Sequence, residues 1–269
     1  MKYNNELQII DNPEKAYLLG LFYSDGYVCS TNNNCGITLH EQDILLLEKL
    51  IDLFPFFKIR KSHKCAYKID CTSKDLKKDL IKNGVLPLKS SINKEGLSIK
   101  KILNENLFSH FIRGFFDGDG SVYKQKLFNI KIEIGCTSFS FISELVKILY
   151  DNKINVNLRC SFLGAGLRTF DYYKLYTSSY KTSKLFSNFI YNESTIHLER
   201  KFNLLNLEVR YEEKERLQCP ICNSYNTFYQ GFRNYKTRIK CKDCNKGSTI
   251  KTAPNSSNTI SGEDELLEV

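Results

Sequence analysis

The sequence predicts an α+β protein that contains two copies of one αββαββα unit and, after them, a small module with four cysteines. Three observations predict this organisation. One segment occurs twice, the apolar periodicities that follow each copy come in the same order, and two C-x2-C pairs stand near the C-terminus. We expect a first repeat over residues 1–105, a second over 106–211, the cysteine module over 217–247 and a disordered tail over 248–269.

Composition narrows the class of protein. The 269 residues are 42% hydrophobic and carry 39 Lys and Arg against 30 Asp and Glu, a formal net charge of +9. This composition is typical of a globular chain and excludes a wholly disordered or collagen-like one. Charged residues interrupt the most apolar stretch, and the N-terminus lacks the apolar core of a signal peptide. We expect a cytoplasmic protein with no transmembrane segment, reduced cysteines and, given its basic balance, a polyanionic partner.

The repeat is the strongest signal in the chain. A segment that begins at Ala16 returns 94 residues later, so that Gly20 coincides with Gly114 and Asp25 coincides with Asp119. Behind each copy the apolar residues predict a strand, an amphipathic helix, two further strands and a closing helix. The chain is therefore expected to fold as two pseudo-symmetric halves.

Each copy of the repeated segment predicts a helix that ends in an aspartate. Asn12 and Pro13 are a favoured N-cap and first helical residue, and a stripe of small residues that includes Gly20 would let the two helices pack closely. Asp25 and Asp119 then lie in the last helical turns, where a carboxylate opposes the helix dipole. Two neighbouring carboxylates raise one pKa unless a cation lies between them. We therefore predict a divalent metal site, most simply for Mg²⁺.

Polar residues alternate with apolar ones along the predicted strands, most clearly in residues 154–162. This alternation predicts a sheet with one face on the core and one polar face. A solvated face explains the polar residues, but the same mixture of Asn, Arg and Lys also reads base edges and phosphates in a nucleic-acid groove. The candidate contacts of the two halves are Arg60, Lys61, Lys64, Lys131, Asn155, Asn157 and Arg159.

The two copies, at residues 18–26 and 112–120, resemble the motif of the LAGLIDADG homing endonucleases. The resemblance covers about residues 8–210 and implies a monomer whose antiparallel strands form a saddle over double-stranded DNA. It implies a site-specific endonuclease that hydrolyses one phosphodiester in each strand across the minor groove, leaves 3′ overhangs and serves the mobility of an intron.

The resemblance also assigns catalytic residues. It implies that Asp25 and Asp119 bind two or more Mg²⁺ ions and that Lys89 and Lys201 organise the active-site water. The first copy departs from the motif, because Tyr23 stands where the second copy has Asp117. That earlier position does not bind the metal in the family, so both expected metal ligands are retained.

Three alternatives stay open. Residues 117–122 could begin a haloacid-dehalogenase-like phosphatase with Asp117 as the nucleophile, although Tyr23 in the other copy argues against it. The same residues could form a calcium loop, but they lack a third carboxylate or amide ligand at the required spacing. The scaffold could also serve a non-cleaving binder, such as an intron maturase with RNA as partner or a DNA-binding regulator.

The four C-terminal cysteines have the spacing C-x2-C-x18-C-x2-C. This spacing predicts one structural Zn²⁺ held by Cys219, Cys222, Cys241 and Cys244. The segment resembles the zinc ribbons of transposases, and its basic and aromatic residues favour DNA contacts by Arg233, Lys236 and Arg238. A purely structural or protein-binding ribbon is the alternative. The other six cysteines show no ligand spacing and are interpreted as reduced, small hydrophobic side chains that lie mostly in strands.

Overall fold

The computed structural model describes residues 2–87, 98–124, 130–161, 172–206, 217–233 and 236–250. The chain divides into two compact units, Met1–Glu208 and Val209–Val269. Lys89, predicted as a catalytic residue, and residues 251–269 of the predicted disordered tail lie outside the described residues. The first three residues of that predicted tail, 248–250, lie in a strand, so the prediction of disorder is wrong for them. Within the described residues, no helix combines the length and the apolar character that crossing a membrane requires.

The first repeat has the predicted order of helices and strands. Its elements are α1 (Pro13–Ser24), β1 (Gly26–Val28), β2 (Asn34–His40), α2 (Ile44–Leu53), β3 (Lys58–His63), β4 (Ala66–Thr72) and α3 (Lys74–Lys82). The Asn12 side chain accepts a hydrogen bond from the backbone N–H of Lys15 at 2.9 Å, and this cap starts α1 as predicted. The four strands form one antiparallel sheet in the order β1-β2-β4-β3.

The second repeat follows a short helix, α4 (Ile99–Ile102), and has the same topology. Its elements are α5 (Phe108–Asp119), β5 (Gly120–Lys124), β6 (Ile130–Cys136), α6 (Phe139–Asp151), β7 (Asn157–Ser161), β8 (Tyr172–Thr177), α7 (Tyr180–Tyr191) and α8 (Glu199–Asn206). The antiparallel sheet order is β5-β6-β8-β7, which repeats the first sheet strand for strand. The predicted α+β fold with two αββαββα repeats is confirmed.

Helices α1 and α5 pack against each other in parallel through their glycines. A Cβ on Gly20 would overlap the carbonyl oxygen of Phe111, and a Cβ on Gly114 would overlap that of Tyr17. One turn later, Gly118 faces Ser24. Because the contacting positions advance together along both helices, the two C-terminal ends meet. The stripe of small residues therefore has the predicted effect.

We expect Gly114→Ala to destabilise the protein by about 3 kcal/mol, because its Cβ would overlap backbone atoms that cannot move independently of α1. The sign is diagnostic, since the same change in an ordinary helix interior stabilises by roughly 1 kcal/mol. Denaturant unfolding would measure the difference. Gly247→Ala is the control, because its nearest neighbour would be 3.9 Å away. A Gly114→Ala protein as stable as the wild type would contradict this packing.

The two sheets bury one face and leave the other open. In the first sheet Ile37 lies opposite Ile69, in the second Ile134 lies opposite Leu175, and all four side chains are fully buried. The prediction for residues 154–162 is wrong in one respect. β7 begins only at Asn157, and Leu158 on its supposed core face is 38% exposed. β7 is an edge strand, and burial of its neighbours does not extend to it.

The C-terminal unit contains a three-stranded antiparallel sheet. Its strands are β9 (Thr227–Arg233), β10 (Lys236–Cys241) and β11 (Gly247–Ile250), in the order β11-β10-β9. The first cysteine pair precedes β9, and the second begins at the last residue of β10 and ends before β11. The sheet thereby brings two segments that are distant in sequence to one end of the unit.

Candidate functional site

The parallel packing of α1 and α5 brings two carboxylates to one place. Asp25 caps the C-terminus of α1 by donating its backbone N–H to the carbonyl oxygen of Leu21 at 3.0 Å, and Asp119 is the last residue of α5. A Cβ on Gly118 would lie 2.5 Å from Asp25 Oδ2, so this carboxylate abuts the last turn of α5. Asp25 is half-buried and Asp119 is exposed. The arrangement leaves a negatively charged edge open to solvent.

Lys201 of α8 closes the end of α5. Its side chain is buried, and its Nζ donates to the carbonyl oxygens of Phe116 at 2.8 Å, Asp117 at 2.6 Å and Gly118 at 3.0 Å. The Phe116 carbonyl oxygen also accepts from the backbone N–H of Gly120, whereas the last carbonyls of a helix generally lack such a partner. An ammonium group at these positions complements the negative end of the helix dipole. Lys201 thereby fixes the backbone that carries Asp119.

The Lys201 ammonium also lies within electrostatic range of both carboxylates. Burial lowers the pKa of Lys201 to about 8, whereas the charges of Asp117, Asp25 and Asp119 raise it. Its three donated hydrogen bonds fix it in place. The candidate site therefore combines two carboxylates with one buried cation.

Asp117 lies behind the site and is buried. Its Oδ1 accepts a hydrogen bond from the Tyr191 hydroxyl at 2.6 Å, and its Oδ2 accepts from the Tyr17 hydroxyl at 2.9 Å and from the backbone N–H of Leu198 at 2.8 Å. Burial raises the pKa of Asp117 to about 6, although these hydrogen bonds lower it. A carboxylate enclosed in this way cannot attack a substrate, which argues against the phosphatase alternative.

Tyr23 occupies the position of Asp117 in the first repeat, but its side chain donates a hydrogen bond where that of Asp117 accepts one. Its hydroxyl donates to the carbonyl oxygen of Asn83, the residue that ends α3, at 2.9 Å. In the second repeat Asp117 instead accepts from Tyr191, at the end of α7. Each motif helix is thus connected to the C-terminal end of the equivalent helix, α3 in the first repeat and α7 in the second, and the exchange of Asp for Tyr preserves this structural role.

Sequence reasoning missed Tyr17, Tyr191 and Arg113 in this buried polar network. The Arg113 side chain is fully buried and donates to the carbonyl oxygens of Ile190 and Ile196, both at 2.9 Å. An arginine within an apolar helix was the available signal, because a buried charge requires partners.

The residues predicted to contact nucleic acid lie in or directly beside the strands of the sheets. Arg60 and Lys61 lie in β3, Lys64 in the turn after it, Lys131 in β6, and Asn157 and Arg159 in β7, whereas Asn155 precedes β7. The sequence prediction missed two further lysines, Lys68 of β4 and Lys174 of β8, and two buried acids that pair with these cations. In the C-terminal unit Arg238 is exposed on β10, but the side chains of Arg233 and Lys236 lie outside the described ones.

The four predicted zinc ligands come together in the C-terminal unit. The sulfur atoms of Cys219, Cys222, Cys241 and Cys244 all lie within 4.8 Å of one another. The Sγ–Sγ distances are 3.7 Å for Cys219 and Cys244 and 3.5 Å for Cys222 and Cys241. Tetrahedral Zn²⁺ with bonds of about 2.3 Å requires sulfurs about 3.8 Å apart, so the donor set fits the ion.

Backbone and side-chain groups prepare this cluster for a metal. Backbone N–H groups of Cys222 and Ile221 lower the pKa of the Cys219 thiol to about 7, which favours the thiolate that binds Zn²⁺. Asp243, between the cysteines of the second pair, accepts hydrogen bonds from Ser224 Oγ at 2.5 Å and from Asn226 Nδ2 at 2.7 Å, and so joins this pair to the segment that follows the first pair.

Comparisons with known proteins agree with this architecture. The family model described as a LAGLIDADG-like domain matches residues 109–187. Among solved structures, mesophilic variants of the homing endonuclease I-DmoI align with a TM-score of 0.51 at 17% identity, over 72% of this chain and 96% of that chain. The meganuclease I-SmaMI bound to uncleavable DNA aligns with a TM-score of 0.46 at 16% identity, over 68% and 85%. No curated protein sequence matches the chain. The chain thus has the fold of the LAGLIDADG homing endonucleases.

Proposed function

We propose that the protein is a site-specific endonuclease that cleaves both strands of duplex DNA. The observation that carries the proposal is the meeting of Asp25 and Asp119 at the ends of two parallel, equivalent helices beside the buried ammonium of Lys201. Each repeat contributes one carboxylate, so a pseudo-two-fold site would treat the two strands of a duplex alike.

Asp25 and Asp119 would hold the divalent metal, because carboxylate oxygens are the ligands that Mg²⁺ prefers and because two neighbouring carboxylates repel each other, which a cation between them relieves. When bound, two or more Mg²⁺ ions would supply the charge that activates water and stabilises the leaving oxygen. Lys201 holds the end of α5, and with it Asp119, in a fixed position. Lys89 would be the basic residue of the first repeat that corresponds to Lys201 and organises the active-site water.

The open faces of the two sheets would bind the duplex. They carry basic side chains of both repeats at equivalent strands, among them Arg60 and Arg159. One chain contains both halves of the site, so we infer that a monomer suffices. The resemblance to the LAGLIDADG homing endonucleases leads us to propose, in addition, that cleavage occurs across the minor groove and leaves 3′ overhangs. A role in the mobility of an intron is the biological function that we propose.

The C-terminal unit would extend the DNA contacts. The cysteine cluster fits one structural Zn²⁺, and Arg238 is exposed on the adjacent strand β10. We propose that Arg233, Lys236 and Arg238 contact phosphates outside the central site. A unit of this size needs the metal for its fold, whatever it contacts.

The test is cleavage of a randomised duplex library by the full-length protein in Mg²⁺, followed by sequencing of the new ends. We expect double-strand breaks at one defined sequence, with 3′ overhangs, and none in EDTA. If no defined breaks appear while EDTA-insensitive binding of RNA or DNA persists, the protein is a non-cleaving binder and the proposal is wrong.

A further inference from the structure

The strand register relates residues of the two sheets that the sequence offset alone does not align. Gly26 of β1 pairs with Ile37 of β2, and Gly120 of β5 pairs with Ile134 of β6. Because Gly26 and Gly120 are equivalent in the repeat, Ile37 and Ile134 are equivalent too. The rest of each ladder can be counted from this pair.

Counting outward places one Arg–Lys pair at the same position in each sheet. Arg60 of β3 lies directly opposite Lys68 of β4, and Arg159 of β7 lies directly opposite Lys174 of β8. Both pairs are next to the row of buried apolar residues and therefore point to the other, open face. Like charges placed opposite each other destabilise a sheet unless something compensates them.

A buried acid compensates each pair. In the first sheet Asp70, 4% exposed, lies 3.3 Å from Arg60 Nε and 3.2 Å from Lys68 Nζ. In the second sheet Glu133, 7% exposed, lies 3.5 Å from both Arg159 Nη2 and Lys174 Nζ. The acids stand on different strands, β4 and β6, so the sequence repeat does not reveal that they do the same thing.

The second pair has additional support from its surroundings. Lys131 Nζ lies 2.6 Å from Glu133 Oε1, and the Arg159 guanidinium lies over the ring of Tyr176 at 5.1 Å. Although burial opposes the charged form, the hydrogen bond from Lys131 and the charges of Lys174 and Arg159 keep the pKa of Glu133 below its ordinary value. The carboxylate is therefore ionised near neutral pH and orients its cations.

The arginines stay accessible although they are paired. The side chains of Arg60 and Arg159 are 59% and 48% exposed, whereas the two acids are almost covered. Each acid engages one edge of a planar guanidinium, so other N–H groups can still donate outward. A fixed fork of this kind suits bidentate donation to O6 and N7 of guanine, the commonest specific contact in the major groove.

We propose that Arg60 and Arg159 read guanines at two target positions equidistant from the cleavage centre, with Lys68 and Lys174 on adjacent phosphates, and that Asp70 and Glu133 are the positioning residues for these pairs. This inference rests on the proposed function, since it requires that the open faces bind duplex DNA. Beyond the proposed function, it names the base that the arginines recognise, the symmetric placement of that base in the target and the two acids that position the arginines.

Selection of randomised duplexes by the full-length protein in Ca²⁺ tests the inference. The wild type should prefer guanine at two symmetric positions. Glu133→Gln should lower the preference at one of them roughly tenfold, and Asp70→Asn should lower it equally at the other. Arg159→Lys and Arg60→Lys should have the same local effects without loss of charge, and they test the assignment even if an acid variant fails to fold.

Glu105→Gln is the matched control, because it raises the net charge by one as the acid variants do but changes an exposed side chain on a helical turn. It should leave the preference at both positions unchanged. Selective binding by the wild type without a symmetric guanine preference, or acid variants with an unaltered preference, would overturn this inference alone. A wild type that neither selects nor cleaves duplex DNA would overturn the proposed function as well.

Discussion

Replacing either Asp25 or Asp119 by asparagine should lower double-strand cleavage by a factor on the order of 10³ or more, while the affinity for the target changes little. Asparagine keeps the shape of the side chain but removes the charge that a hard divalent cation requires of its ligands. Both residues lie at helix ends, directly before β1 and β5, and neither is among the basic side chains that are proposed to bind the duplex. The two effects are therefore separable.

The measurement pairs two assays on the same preparations. Cleavage of the selected target in Mg²⁺ gives the rate, and binding to the same duplex in Ca²⁺ gives the affinity. Asp52→Asn is the matched control, because Asp52 is also an exposed aspartate in the last turn of a helix, α2. It should cleave at the wild-type rate.

Two results would contradict the assignment in different ways. Full cleavage by either Asp25→Asn or Asp119→Asn would show that the carboxylate holds no essential metal. Equal loss of cleavage and of binding would show that the aspartates support the fold and not the chemistry. The second result would mean that Asp119, like Lys201, stabilises the C-terminal end of α5.

Local sequence signals were sufficient to predict the motif helices. The Asn12 side chain caps α1 by accepting a hydrogen bond from the backbone N–H three residues later, and a contact this close in sequence can be predicted from the local residue pattern. Close approach of α1 and α5 followed from small residues alone, because Gly20 and Gly114 admit no side chain at the crossing. Because the two helices are equivalent copies, the repeat then implied that their C-terminal ends, and the aspartates at them, lie close together.

The residues that surround the aspartates were not predictable in the same way. Asp117 is held by Tyr17 and Tyr191, which lie 100 and 74 positions away in the chain. No periodicity indicates such a network, because Tyr17 and Tyr191 have the local pattern of ordinary buried residues of an amphipathic or apolar helix. The resemblance did indicate Lys201, but not that its ammonium would be buried on three carbonyls.

Strand alternation predicted which face is polar but not what covers the other face. Leu158 alternates correctly with Asn157 and Arg159, yet it remains exposed because β7 has a neighbouring strand on one side only. In the same way, the pairing of Asp70 and Glu133 with equivalent cations depends on register across three strands. Register is a property of the sheet, and no single strand encodes it.

Removing the metal from the cysteine cluster should unfold the Val209–Val269 unit and leave Met1–Glu208 folded. Of the side chains described in the smaller unit, those of Cys219, Ile239 and Cys241 are buried, and two of these three residues are predicted metal ligands. Burial of the Ile239 side chain contributes roughly 2–3 kcal/mol. Binding of Zn²⁺ by comparable four-ligand peptides contributes about 10–16 kcal/mol, several times as much, so loss of the metal removes the larger stabilising contribution.

Hydrogen exchange resolved by peptide would show where protection is lost. After chelation we expect full exchange in β9, β10 and β11 and unchanged protection in α1 and α5, because the larger unit has its own apolar core. Cys222→Ser should reproduce this loss and reduce the zinc content from one ion per chain to nearly none, whereas Cys160→Ser, at an exposed cysteine of β7, should do neither. Retained protection of β9–β11 in metal-free protein would mean that contacts other than the four thiolates hold the unit together, and the zinc assignment would then be wrong.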